Sequence, residues 1–214
     1  MLDNVKNKYL LKKIFEKIGN KRKLNIIKYN KKIKGKLNIK KEDFEIYITL
    51  KEFNNKYETN IEYIDIKELN LNKRYLENEE LKDLVKIKFK KLEVLNLDQD
   101  KISDINTLEI VNFKKLKVLS LRFNRISDIN ILEKVNFKQL KELYLDYNNI
   151  SDIKVLKNVK FGNLEVLSIA QNDISDINIL EIVDFKNLKV LILNDNRISK
   201  INILEKVNFR QLKN

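Results

Sequence analysis

Apolar residues recur along this chain with one long period. Phe89, Phe113, Phe137, Phe161, Phe185 and Phe209 stand 24 residues apart with no insertion. The text between them nearly repeats, as F-x-x-L-x-x-L-x-L-x-x-N-x-I-x-x-I-x-x-L-x-x-V-x. The second unit shows it in Leu116, Leu119, Leu121, Asn124, Ile126, Ile129, Leu132 and Val135. Five full units fill 89–208, and a sixth begins at Phe209. Leu119 and Leu121 alternate, which predicts a short strand with both leucines inward. Ile129, Leu132 and Val135 follow a Ser-Asp pair at helical spacing, which predicts a short helical or 3₁₀ segment with an N-cap. One unit cannot bury its own apolar face, so the units must stack. The expected class is α/β: a solenoid of stacked units, each with one short strand and one short helical segment.

Asn124, Asn148, Asn172 and Asn196 sit where each strand ends. The first unit has Asp100 there, which cannot donate when ionised, so that end should be looser. A degenerate turn precedes the array, Ile66-x-x-Leu69-x-Leu71, with Arg74 at the asparagine position and a spacing of 26 residues. Asp104, Asp128, Asp152 and Asp176 form a ladder. It is read as capping rather than as a cation site, because Lys200 interrupts the column.

The repeat resembles the leucine-rich repeat family (L-x-x-L-x-L-x-x-N-x-L), near its short I-x-x-I class with two extra residues per turn. The resemblance implies a parallel-sheet solenoid that holds protein partners on its concave face, with Asn124, Asn148, Asn172 and Asn196 buried and paired to backbone groups of the neighbouring turn. The non-leucine strand positions then read as columns on that face. They run Asn96, Ser120, Tyr144, Ser168, Ile192; then Asp98, Arg122, Asp146, Ala170, Asn194; then Gln99, Phe123, Tyr147, Gln171, Asp195; then Lys101, Arg125, Asn149, Asp173, Arg197. Aromatics and arginine anchor protein interfaces. The candidate partner-binding residues are therefore Arg122, Phe123, Arg125, Tyr144, Asp146, Tyr147, Ile192 and Arg197.

Charge separates the amino-terminal part from the array. The formal net charge is +13 over 214 residues, and residues 1–40 hold 14 basic against 2 acidic side chains. Apolar spacing predicts one helix through Tyr9, Leu11, Ile14, Phe15 and Ile18. A second is expected through Leu24, Ile27, Tyr29 and Ile33, ending at Gly35, and a third short element at Leu37 and Ile39. The order L-K-K-I-F-E-K-I, basic turn, L-N-I-I-K-Y-N-K-K-I is similar to the F-box. That resemblance implies docking on a ubiquitin-ligase adaptor through Leu11, Ile14, Phe15, Ile18, Leu24 and Ile27. The alternatives are a solenoid cap and a basic anchor for anionic membrane or nucleic acid through Lys12, Lys13, Lys17, Lys21, Arg22 and Lys23.

Three domains are expected. Residues 1–40 form the basic helical module. Residues 41–88 form a leading cap and the degenerate repeat, with Phe44, Ile46, Ile48 and Leu50 alternating as a strand and Tyr75–Val85 as a convex helix. Residues 89–214 form the array. The truncated sixth unit leaves Leu188, Leu191 and Leu193 without a polar cap, which fits either a truncated chain or end-to-end self-association.

Composition narrows the chemistry. The chain has no His, Cys, Pro or Trp and only 3 Gly. That excludes Ser-His-Asp and Cys-His catalysis, ordinary zinc sites and disulfides, and the glycines form no phosphate loop. No cofactor, metal or small-molecule substrate is expected. No stretch has the apolar length of a membrane span and no signal-peptide core opens the chain, so an intracellular, cytoplasmic setting is expected. Lys, Asn and Ile fill 97 of 214 positions, all with AT-rich codons, so base composition accounts for part of the lysine excess. The reading is a non-enzymatic protein-binding scaffold.

Overall fold

The structure is a computed structural model. It describes residues 30–37, 41–61, 64–87, 89–111 and 113–207. The chain divides into two compact units at Glu58 and Thr59. The stretch read as one segment over 41–88 thus contributes to both.

In the first unit, helix α1 spans Lys31–Leu37 and α2 spans Lys41–Tyr57. The Asn30 side chain accepts the Ile33 N–H at 3.0 Å, an N-cap bond. Gly35 does not end the helix; it lies inside α1 and no atom crowds its Cα. Leu37 closes α1 rather than opening a third element. The alternation at 44–50 is a correction of a larger kind. That stretch is helical, and Leu50, Phe53 and Tyr57 are buried at helical spacing. Seven residues are too short a window to separate a period of 2 from one of 3.6, and the stripe emerges only when read on to Tyr57. Phe53 and Tyr57 pack with ring centroids 4.5 Å apart.

The second unit is the array. Its strands are β1 (Glu68–Asn70), β2 (Val94–Asn96), β3 (Val118–Ser120), β4 (Glu142–Tyr144), β5 (Val166–Ser168) and β6 (Val190–Ile192). They form one parallel sheet in chain order. Leu69 pairs with Leu95, a 26-residue step, and each later step is 24 residues. The degenerate turn is therefore a true turn of the solenoid. Helix α3 (Leu81–Ile87) follows β1. It starts later than the expected Tyr75 because Tyr75 has φ 56, which no right-handed helix accepts.

Opposite the sheet, 3₁₀ turns span Asn106–Glu109, Asn130–Glu133, Lys154–Lys157, Asn178–Glu181 and Asn202–Glu205. Between them and the sheet lies the core. Leu95, Leu119, Leu143 and Leu167 are fully buried, and the phenylalanine column from Phe89 to Phe185 is buried beneath them. Each such side chain contributes roughly 2 kcal/mol by leaving water.

The asparagine column behaves as its chemistry requires. Asn148 Oδ1 accepts the Ile126 N–H at 2.9 Å, while its Nδ2 donates to Leu121, Leu145 and Asp146 carbonyls at 3.0, 3.0 and 3.2 Å. Asn124 and Asn172 repeat the pattern. Asp100 accepts the Leu76 N–H at 3.0 Å, but its Oδ2 is buried without a partner.

Each aspartate of the ladder serves the start of its 3₁₀ turn, from one residue before the N-cap position. Each 3₁₀ turn is flanked by an isoleucine that cannot cap. Asp104, Asp128, Asp152 and Asp176 reach past it and accept the N–H two residues on, at 2.7–2.9 Å. Each is an Asx turn, and the serine before it takes no part in that bond. Among the described residues no helix is long and apolar enough to cross a membrane.

Candidate functional site

The outer face of the sheet carries every second strand residue. Its largest cluster is centred on β4. Tyr144 is flanked on β3 and β5 by Ser120 and Ser168, both small, so its ring has room to lie against the sheet. The Arg122 guanidinium covers that ring, with its carbon 3.8 Å from the centroid. Arg122 Nε donates to Asp146 Oδ2 at 2.7 Å. Asp146 is buried, and its other oxygen accepts from the Ser168 hydroxyl and, at 3.1 Å, from the Ala170 N–H. Asp98 repeats the lock two strands earlier: it accepts the Ser120 hydroxyl at 2.6 Å and the Arg122 N–H at 2.8 Å. The two aspartates thus hold the backbone and side chain of Arg122 in place. Tyr144 donates to Glu142 Oε2 at 2.7 Å. Burial, and then that bond, push its phenol up to about 12, so it stays a neutral donor.

Beside this cluster runs a ledge of left-handed residues. Lys73, Gln99, Phe123, Tyr147, Gln171 and Asp195 all have φ between 52 and 58. From Lys73 to Gln171 their N–H groups extend the sheet ladder; Phe123 N–H donates to the Asp146 carbonyl and Tyr147 N–H to that of Ala170, both at 3.0 Å. Left-handed backbone costs a side-chain-bearing residue about 1–2 kcal/mol, and least for Asn or Gly. Two aromatics occupy it here. The Phe123 and Tyr147 rings stack with centroids 4.1 Å apart and planes 13° apart. They are 44% and 47% exposed.

A family model described as Leucine Rich repeats (2 copies) matches residues 114–158 and 162–208. Together with the stacked 24-residue turns, this decides the repeat type. The array is built of leucine-rich repeats. Among solved structures, the array is similar to an internalin C2 from Listeria monocytogenes, at 25% identity and a TM-score of 0.51 over 70% of both chains. An internalin (inlF) from the same organism is 26% identical with a TM-score of 0.50, over 69% of this chain and 46% of that one. Among curated proteins none matches the chain in sequence.

Within the leucine-rich repeats, the eight candidate residues divide. Arg122, Tyr144 and Asp146 form one bonded cluster, and Phe123 and Tyr147 form the adjoining stack. Asp146 has both oxygens engaged inside the protein, so it positions Arg122. Arg125 is exposed on the ledge. Arg197 lies farther along and pairs with Asp173 at 2.5 Å. Ile192 stands on β6, two strands from Tyr144, and is half-buried. Leu11, Ile14, Phe15, Ile18, Leu24 and Ile27, and the basic residues from Lys12 to Lys23, lie outside the described residues.

Sequence reasoning missed two further columns. Val94, Val118, Glu142, Val166 and Val190 also face outward, two residues before the column of Tyr144. The period-2 rule already held that signal. One position earlier, Glu93 lies between Lys67 and Lys117, at 3.6 and 2.6 Å. Glu165 likewise bridges Lys141 and Lys189, both at 2.6 Å. Bonds from Lys141 and then Lys189 hold Glu165 down to about 2. Such exposed pairs tie neighbouring repeats together but contribute little stability each.

Proposed function

We propose that the array is a non-catalytic protein-binding scaffold, with its partner held on the outer sheet face and the aromatic ledge. Leucine-rich repeat proteins are commonly interaction scaffolds. The observation that carries the reading is the Phe123–Tyr147 stack: two large rings, nearly half exposed, kept on backbone that disfavours them. Strain of this kind collects at functional sites. Arg122, already seated on Tyr144 and Asp146, adds a cation that loses little freedom on binding. Arg125, Ile192 and Arg197 form the margin.

The test replaces Phe123 and Tyr147 by Asn, which tolerates their φ. Affinity purification from the native cell should lose the partner, a hot-spot loss of roughly 2 kcal/mol or more, while the melting temperature holds or rises. Undiminished capture refutes the face.

A more specific version, in a cytoplasmic setting, has residues 1–40 docking on a ubiquitin-ligase adaptor. It rests on the amino-terminal resemblance, and adaptor binding lost on deletion of 1–40 tests it. The basic-anchor alternative rests on the charge of the same segment, and steep salt dependence tests that. Exposed Ile201 and Leu204 support end-to-end association with a second copy. Sedimentation as a monomer at every concentration would refute it.

A further inference from the structure

The ledge has a charge order along its length. Each left-handed residue is followed, two positions on, by a second outward residue: Tyr75, Lys101, Arg125, Asn149, Asp173 and Arg197. The first half of this double row holds Lys73, Lys101 and Arg125. Among the described residues none of these three forms an ion pair. The nearby carboxylates are occupied elsewhere: Asp98 is locked by Ser120 and Arg122, and Asp100 is buried. Lys101 instead lies over the exposed Tyr75 ring, 5.7 Å from its centroid. The second half carries Asp173 and Asp195, and its one cation, Arg197, is paired. The aromatic stack lies between the halves. Gln99 and Gln171 stand one repeat to either side of it, and their side-chain amides make no hydrogen bond among the described residues.

We infer that the ledge docks an extended acidic peptide segment of a protein partner. Its carboxylates meet Lys73, Lys101 and Arg125, and an aromatic or apolar residue covers the Phe123–Tyr147 stack. The inference rests on the proposed scaffold reading and adds the chemistry of what is bound. The dimensions agree. Neighbouring strands lie about 4.8 Å apart, so the row from Lys73 to Tyr147 spans about 14 Å, or about four residues of extended chain. The glutamine amides can donate to and accept from the peptide backbone on both sides of the stack. Asp195 repels a second acidic stretch and Arg197 is already paired with Asp173, so the acidic end of the peptide lies toward β1. The same half offers no unpaired cation among the described residues, which disfavours single-stranded nucleic acid, a ligand that needs cations along its whole track.

Fluorescence anisotropy with the full chain tests this. The probes are a labelled acidic peptide with one tryptophan, its lysine counterpart, and an oligothymidylate of matching charge. The acidic peptide should bind and the lysine peptide should not. The joint change Lys101→Glu and Arg125→Glu should weaken the acidic peptide by about tenfold or more. Both residues are exposed, and an unchanged melting curve verifies the fold. Equal affinity for the two peptides, tighter binding of the oligothymidylate, or no effect of the charge reversal overturns the inference. The scaffold reading fails separately. If the Asn variants at Phe123 and Tyr147 lose the cellular partner while the charge reversal keeps it, the scaffold stands and the acidic-peptide inference falls.

Discussion

Asp100→Asn should stabilise the array in a pH-dependent manner. Asp100 is buried at a site where later repeats bury an amide that donates as well as accepts. Its Oδ1 accepts the Leu76 N–H, and its Oδ2 has no hydrogen-bond partner. Desolvation raises the carboxyl from 3.8 to about 6, against the backbone N–H groups of Leu76, Arg74 and Tyr75 that pull it down. The folded pKa lies above the unfolded one, so its stabilising effect is full below about 4 and lost as pH rises through about 6. A shift of about two units sets that loss at about 3 kcal/mol at most. The asparagine removes the buried charge and restores a donor for the Leu97 and Asp98 carbonyls, by equivalence with Asn124. The two proteins should therefore match near pH 4, and the variant should gain about 2–3 kcal/mol near pH 8. In a solenoid the effect is local, so hydrogen exchange at the Leu76 amide is the sharper readout beside urea denaturation. Parallel pH profiles for the two proteins would show that Asp100 is not charged in the fold as argued.

Two further substitutions test the framework. Asn148→Ala strips four hydrogen bonds from a buried site and should cost about 3 kcal/mol or more in urea denaturation, far beyond an exposed Asn149→Ala control. Asp128→Ala removes an exposed Asx turn and should cost about 0.5–1 kcal/mol. Added calcium should leave the melting temperature of the parent protein unchanged, since each ladder carboxylate already serves its own turn; a calcium-dependent rise would restore the cation reading.

Much of this protein could be read from its residues alone. Periodicity is a local property, so Leu119, Leu121, Asn124 and Ile126 announce a strand, a buried turn and a second apolar wall without any coordinates. Stacking then follows, because no single repeat can cover its leucines. The same logic placed β1 in the solenoid from Leu69 and Leu71, although Arg74 replaces the asparagine. It failed where the window was short or the sign of φ mattered. Residues 44–50 alternate, yet belong to a helix whose stripe extends to Tyr57. Tyr75 looks like a helical residue, but a left-handed backbone excludes it from α3. Outward columns were legible as positions, because framework and surface positions differ within one chain. Their chemistry was not. Only the stacked turns bring Asp146, just after β4, against Arg122, just after β3, and Ser168 of β5, burying a charge that looked free. Only they place Phe123 on Tyr147 while leaving Lys101 and Arg125 without a counter-charge among the described residues. Side-chain partners come from residues 22 to 24 positions away, and three-dimensional packing alone selects which of those meet.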